Sequence, residues 1–284
     1  MSGATLEIVA CAGLATVQDA GRPGRMHEGI PPGGALVPEL LAAANLAVGN
    51  PPGAAAVELF GKLRVRAHGA HAMTLSLDGA PARPLAPGEV LDVASGPAAR
   101  VGYLAVGGGI DVPLVLGGRG TLLVAGLGGH QGRALRRGDR LAAGAIGSAA
   151  ASAARFDLRL DDPIRIVPGP DLERFARDAV AALVSPSPAA RLAIGPLGDR
   201  VGVRLVGPGD PPWRPLAAAV TISAPMTRGS IQVTPSGELL VLGPDHPTTG
   251  GYPVIAVIVS ADVGRLLARR PGAPVQLGYA SLPA

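Results

Sequence analysis

Glycine and proline punctuate this chain so densely that few long regular elements fit between them. They number 42 and 29 of 284 residues, a level that in polar tracts would signal low complexity. Here they are scattered between short apolar runs rich in β-branched residues, which points to a turn-dense β protein rather than to disorder. The run Val254-Ile-Ala-Val-Ile-Val259 is typical. It is β-branched and too short for an ordinary globular helix, so it reads as a buried strand. Leu63–Ala67 and Met73–Leu77 alternate apolar with polar residues, as half-buried strands do. Leu6–Ala10, Val101–Val106, Ile164–Val167, Val201–Val206, Ile231–Val233 and Leu239–Leu242 are further strand candidates, and Arg83–Leu91 reads as a turn into another. Three helices are expected: one from Pro38 with Pro at its first position, one from Asp171 to about Leu183 with Asp171 as its N-cap, and one over Ala261–Arg270.

Length suits one large domain or two of roughly 150 residues. The Ala/Gly/Ser tract Ala142–Ala154 is the best linker. Two β-rich subdomains, 1–150 and 151–284, are therefore expected. Aromatic residues are 2% of the chain, which leaves the core to Leu, Val, Ile and Ala. The net charge of +4 is carried by arginine, since Lys62 is the only lysine. No basic block is interleaved with aromatics, so nucleic-acid binding has no support. Cys11 is the only cysteine, which excludes an intrachain disulfide and a Cys-based zinc cluster. No apolar run reaches the length of a membrane span, and the N-terminus lacks the basic region of a signal peptide. A cytoplasmic protein is expected.

Several motifs are excluded. With one lysine there is no Gly-x4-Gly-Lys-Ser/Thr loop, and Gly126–Gly132 has Gln131 where a dinucleotide fingerprint needs glycine. His68 and His71 have no third metal ligand nearby. Cys11 has no evident base. Two loops stand out instead. Thr16–Gly34 gathers Gln18, Asp19, Arg22, Arg25, His27 and Glu28 among glycines and prolines, and a loop this long and polar is often functional. Gly243–Pro253 sets Asp245, His246, Thr248 and Thr249 before Gly250, Gly251 and Tyr252. It reads either as a site loop fixed by the strand that follows or as a tight turn between two strands.

Ordered residues along nearly the whole chain resemble the family of C-type 5-oxoprolinase subunits, also called KipA-type, allophanate hydrolase subunit 2 or carboxyltransferase subdomain A/B. They include Thr16-Val-Gln-Asp19 with Gly21-Arg22, Gly29-Ile-Pro31, Gly34-Ala35, Asn45, Val48-Gly-Asn50 and Glu58. Tyr103–Val106, Gly108-Gly109, Asp111-Val-Pro113, Gly128-Gly129 and Gly138-Asp139 follow. The second half adds Gly169-Pro170, Arg200, Arg204-Leu205, Gly229, Ile231-Gln-Val233 and Thr248–Pro253. The resemblance implies a mainly β fold with a few short helices, the C-terminal subdomain being a cyclophilin-like barrel. It implies a subunit that acts with a KipI-like B-type subunit and an A-type subunit in converting 5-oxo-L-proline to L-glutamate. ATP would be used by the complex, with no cofactor bound by this chain alone. Fused relatives form the biotin-dependent carboxyltransferase of urea amidolyase, and others antagonise a kinase inhibitor. Two alternatives follow, a biotin-dependent carboxyltransferase subunit and a non-catalytic regulatory partner of a KipI-like protein.

Under the leading reading Asp19, His27 and Asp245 are candidates for proton transfer, with His246 behind them. Arg22 would pair with a carboxylate or phosphate. Thr248 and Thr249 would orient a small amide substrate, and backbone N–H groups at Gly250 and Gly251 would face the oxygen that gains charge. Gly34, Gln232 and Tyr252 complete the substrate-binding set. The family's Pro-x-Ser-Gly-Ala-Met-Asp is here Pro31-Pro-Gly-Gly-Ala-Leu-Val37, and its Gly-Ser-Arg-Ser-Thr is Gly117-Gly-Arg-Gly-Thr121. Polar groups are thus missing at Gly33, Val37, Gly118 and Gly120. Pro247 replaces a Gln, and Ala224 an acid.

Overall fold

The computed structural model describes residues 3–145, 152, 156–185, 191–207, 211–216 and 222–280. The chain divides into two compact units. Unit 1 comprises Met1–Pro23 and Pro32–Asp157; unit 2 comprises Gly24–Pro31 and Leu158–Ala284. The boundary expected at 150/151, and most of the expected linker, lie outside the described residues. The start of that tract is not linker, because Ala142 ends the strand Arg140–Ala142.

Unit 1 is built on β1 (Thr5–Gln18) and β2 (Ala56–His68), antiparallel along almost their full length. β3 (Met73–Leu77), β4 (Arg83–Leu85), β5 (Val90–Ala94), β6 (Gly102–Val106) and β7 (Arg140–Ala142) complete a seven-stranded sheet. Its order is β4-β3-β6-β2-β1-β7, and β5 also pairs with β2. β1 extends well past the five residues expected from Leu6–Ala10. The reason is the facing pair Gly13 and Gly61. A Cβ on either would lie within 2.4 Å of a carbonyl oxygen of the other strand, so two glycines let the paired strands pass where any side chain would interrupt them. Leu6, Ile8, Val17, Val57, Leu59, Val65, Leu75, Leu104 and Leu141 form the core, all at most 1% exposed. α1 (Pro38–Ala47) begins with proline as expected and packs on β3 and β6.

Unit 2 contains β8 (Ile164–Pro168), β9 (Leu192–Gly198), β10 (Gly202–Val206), β11 (Ala224–Pro225), β12 (Ser230–Val233) and β13 (Leu239–Leu242). β14 (Thr249–Gly250), β15 (Val254–Ile258), β16 (Pro274–Val275) and β17 (Leu277–Tyr279) follow. Eight of these form one sheet in the order β16-β9-β10-β13-β12-β15-β8-β17. Its two edge strands are separated by Gln276 alone, whose carbonyl accepts from Ile164 N at 2.8 Å. One residue therefore joins the edges, and the sheet curls into a nearly closed barrel, which disposes of exposed edges. The mainly β architecture with few helices and a barrel-like sheet agrees with the expected fold class.

The helices of unit 2 differ from the sequence pattern. The stretch after Asp171 is a 3-10 turn at Leu172–Arg174 and then a short α2 (Ala179–Val184), rather than one helix. Asp171 caps neither; its Oδ2 accepts Val254 N at 2.7 Å. A tertiary bond to β15 has displaced the local cap. α3 (Ser260–Leu267) seals the barrel with Val263, Leu266 and Leu267. Asp262 on α3 is 1% exposed and takes a bidentate pair from Arg165 of β8 at 2.8 and 2.9 Å, plus Arg265 Nη1 at 3.0 Å. Burial works against its charge, yet the Arg165 and Arg265 bonds hold its carboxyl down at about 2.

Candidate functional site

In unit 1, β1 ends at Gln18 and delivers Asp19 into a tight loop, so the expected long loop begins later than Thr16 suggested. Asp19 is 7% exposed. Its Oδ1 accepts Gly21 N at 2.8 Å and Gly120 N at 3.0 Å, and its Oδ2 accepts Arg119 N at 2.6 Å. Among the described residues no side-chain cation pairs with it. Three backbone donors thus carry the charge of this carboxylate.

Asp19 lines a cavity of about 380 Å³ whose walls are Gly53–Ala55, Gly108–Asp111, Leu114, Arg119 and Gly144-Ala145. This is within the range of small-ligand sites. The walls are largely backbone. Gly108 has φ +89°, and a Cβ there would lie 2.2 Å from Gly144 O, so the two turns touch main chain to main chain. Two buried amides hold these turns. Asn50 Nδ2 donates to Val106 O at 2.8 Å and to Asn45 Oδ1 at 2.9 Å, while Asn50 Oδ1 accepts Gly108 N at 2.8 Å. Asn45 Nδ2 donates to Ala54 O at 2.8 Å. Gly108, Gly109 and Asp111, which the sequence showed as scattered landmarks without roles, line one cavity with Asp19, while Asn45 and Asn50 hold the turns of its wall.

Arg22 is 1% exposed and donates through Nη2 to Gly120 O at 2.6 Å and through Nε to Val115 O at 3.3 Å. Through these two bonds it braces the 115–120 loop from inside. Gly34 has φ +81°, and a Cβ on it would lie 2.9 Å from Gly21 N. It is a close-approach glycine that lets Asp19 O accept Ala35 N at 2.9 Å. The segment after it is held by a buried pair the sequence left without a role. Glu58 Oε2 accepts Leu36 N at 2.8 Å and Tyr103 Oη–H at 2.5 Å, and Tyr103 Oη accepts Val37 N at 2.9 Å.

In unit 2, His27 lies on a 3-10 turn at Met26–Glu28 with its side chain 75% exposed and its Nε2 3.5 Å from Glu28 Oε1. Asp245 is buried and held bidentately by Arg200, at 2.8 and 2.9 Å, both side chains being at most 5% exposed. Both carboxylate oxygens are thus engaged by one guanidinium. His246 is fully buried; its Nδ1 lies 2.8 Å from Pro247 O, and its Nε2 has no partner among the described residues.

The Thr248–Tyr252 loop is ordered by its own small sheet. Thr249 and Gly250 form β14, which pairs with Pro225 and Ala224 of β11. Met226 N donates to Thr248 O at 3.0 Å. Gln232 on β12 is 5% exposed and donates Nε2 to Tyr252 O and to Met226 Sδ, both at 3.2 Å. Neither Gly250 nor Gly251 adopts a left-handed conformation. The need at Gly250 is space, since a Cβ would lie 2.9 Å from Gln232 Nε2. Thr249 and Tyr252 are exposed, and Thr248 and Gly251 half-buried. The unit-2 candidates therefore divide into an exposed loop, Gln232 as its staple, and Asp245 as a locked ion pair.

The model of the carboxyltransferase domain, subdomain A and B, matches residues 28–278. The chain belongs to this family. It is 34% identical to the C-type subunit of 5-oxoprolinase from Escherichia coli (strain K12), over 98% of this chain and 92% of that protein. It is 27% identical to urea amidolyase of Lachancea kluyveri, over 95% of this chain but only 16% of that much longer protein. Among solved structures, TTHA0988 superposes with a TM-score of 0.81 at 28% identity, covering 98% of this chain and 56% of that one.

Membership gives the missing polar groups a physical setting. Val37, a position at which the resemblance expects an acid, is the N-cap residue of α1 and makes no side-chain cap. What is absent there is a helix cap as much as a site carboxylate. A Cβ on Gly118 would lie 2.8 Å from Gly21 O, and one on Gly120 would lie 2.7 Å from Gln18 Oε1 and 2.8 Å from Asp19 Oδ1. The 117–121 loop thus lies close against the 18–22 loop at both positions, against backbone at Gly118 and against side-chain ends at Gly120. Gln18 Oε1 is buried with no partner among the described residues, beside the position where a serine hydroxyl is missing. Among the described residues no three His, Cys, Asp or Glu side chains gather into a metal site, and His68 instead meets Glu7 at 2.5 Å. No described helix is long and apolar enough to cross a membrane.

Proposed function

We propose that this chain is the C-type subunit of an ATP-dependent 5-oxoprolinase, working with a KipI-like B-type subunit and an A-type subunit to convert 5-oxo-L-proline to L-glutamate. The observation that carries this reading is the match to the Escherichia coli C-type subunit, which runs nearly end to end in both chains. The same chain corresponds to only 16% of urea amidolyase. ATP belongs to the complex, and this chain alone binds no cofactor. Opening the lactam breaks its C–N bond, adds water oxygen to the carbonyl carbon and places a proton on the departing nitrogen. A buried carboxylate free of a side-chain cation, at the wall of a small cavity, suits the proton-handling part of that chemistry. Asp19 takes that role here in preference to Asp245 or His27. In unit 2, exposed Thr249 and Tyr252 and half-buried Thr248 offer polar groups to a ligand or to a partner subunit.

Reconstitution tests the reading. The purified chain with B- and A-type subunits should release glutamate from 5-oxo-L-proline only when ATP and all three are present, insensitive to avidin and without bicarbonate. A requirement for biotin or bicarbonate would favour the carboxyltransferase alternative. One observation favours the regulatory alternative, namely that Asp245 and Arg22 are both committed to internal bonds. Thr249→Val addresses it: unchanged turnover with intact assembly would remove the exposed loop from catalysis.

A further inference from the structure

The cavity of unit 1 contains a cation that neither the sequence motifs nor the proton-handling role of Asp19 puts to use. Arg119 has its backbone pinned on both sides, its N donating to Asp19 Oδ2 at 2.6 Å and its O accepting Gly129 N at 2.7 Å. Its guanidinium is left 37% exposed at the cavity wall. Among the described residues it makes a single ionic contact, Nη1 to Asp111 Oδ1 at 3.3 Å, and Asp111 is itself 61% exposed. A long, solvent-screened, monodentate pair of this kind contributes little and is readily exchanged. Arg22, the other arginine of these loops, is buried and turned to main-chain carbonyls.

We infer that Arg119 is the carboxylate-recognising residue of this cavity, and that Asp111 is a resident counter-ion which an incoming small carboxylate displaces. The inference rests on the 5-oxoprolinase reading, and it adds the ligand chemistry. A guanidinium can take a carboxylate bidentately, a better geometry than Asp111 now supplies. Asp19 shares the cavity and would repel a simple anion, so the favoured ligand carries an N–H donor as well. The class is a small amide-bearing carboxylate, with its carboxylate on Arg119 and its amide N–H turned to Asp19.

Calorimetric titration of the full chain with 5-oxo-L-proline, and with 2-pyrrolidinone as the same lactam without the carboxylate, tests this. Arg119→Gln should weaken 5-oxo-L-proline by at least roughly tenfold and leave 2-pyrrolidinone unchanged. Asp111→Asn should tighten 5-oxo-L-proline by roughly threefold, because it removes the competitor. Arg64→Gln, in an exposed pair on β2, should change neither. No binding to the wild-type chain, equal affinity in Arg119→Gln, or weaker binding in Asp111→Asn would each overturn the inference. The Asp111 variant keeps the test decisive if Arg119→Gln folds poorly. Arg119-dependent binding of N-acetylglycine without turnover of 5-oxo-L-proline in the reconstituted complex would retain the inference and sink the proposed activity. Full turnover by an Arg119→Gln complex would do the reverse.

Discussion

Asp19 in unit 1 and Asp245 in unit 2 are the same residue type, buried to the same degree, and both lie in glycine-rich loops. Their partners differ. Asp245 is clamped by Arg200 through two side-chain bonds, whereas Asp19 takes three backbone N–H groups and faces a cavity. Burial of an acid therefore says little about its work; the nature of its donors says more. A guanidinium fixes the charge and occupies the carboxylate. Backbone donors orient it and leave its outer face for a ligand. Asp78 extends the series to a more weakly held case: Tyr103 N donates to it at 2.7 Å, and burial raises its carboxyl to about 6.

The contrast is tested hardest at Asp245. Asp245→Ala should cost about 3–5 kcal/mol in urea denaturation, because it leaves Arg200 buried without its counter-charge. Removing both charges, with Arg200→Met and Asp245→Leu, should recover most of that loss. A single-variant loss below about 1 kcal/mol would mean that the pair is not the lock described.

The close approach around Asp19 is tested by restoring the family's serines. Gly118→Ser meets the Gly21 carbonyl, which is backbone, and should destabilise by about 1–3 kcal/mol. Gly120→Ser meets the ends of two side chains, Gln18 and Asp19, and can donate to the orphaned Gln18 Oε1, so it should cost less. The order of the two thermal midpoints checks this, and the reverse order would contradict the packing.

A smaller change is expected at Asp78. Its carboxyl is raised above the unfolded value, so the stability it contributes is present at low pH. That contribution is lost as pH rises from about 4 through about 6. Asp78→Asn should match the wild type near pH 4 and exceed it by about 1–2 kcal/mol above pH 7. A gap that does not vary with pH would show that Asp78 titrates normally.

Much of the fold was legible in the sequence. Short β-branched runs such as Leu239–Leu242 and Val254–Ile258 are strands, because their burial is set by local pattern. The lengths of β1 and β2 were not legible, since they depend on Gly13 meeting Gly61 across the sheet, a pairing with no local signal. The helix expected after Asp171 failed for a related reason, its cap having been taken by Val254. At the site, the glycine-dense loops and the family resemblance pointed to Asp19 and Thr248–Tyr252. What they could not show was partnership. Arg22 and Asp245 look like free functional groups until Gly120 O and Arg200 are placed beside them. The converse holds for Arg119, whose meaning comes from the cavity it lines, and for Asn45 and Asn50, which hold that cavity's turns.

Under the proposed function Asp19, and not Asp245, is the acid available for chemistry. Steady-state glutamate release by the reconstituted complex tests it directly with Asp19→Asn, which keeps the acceptor for Gly21 and Gly120 and loses only the one for Arg119 N. A fall of at least about 100-fold in kcat, with assembly and ATP binding intact, is the predicted result. Turnover within about twofold of wild type would contradict it.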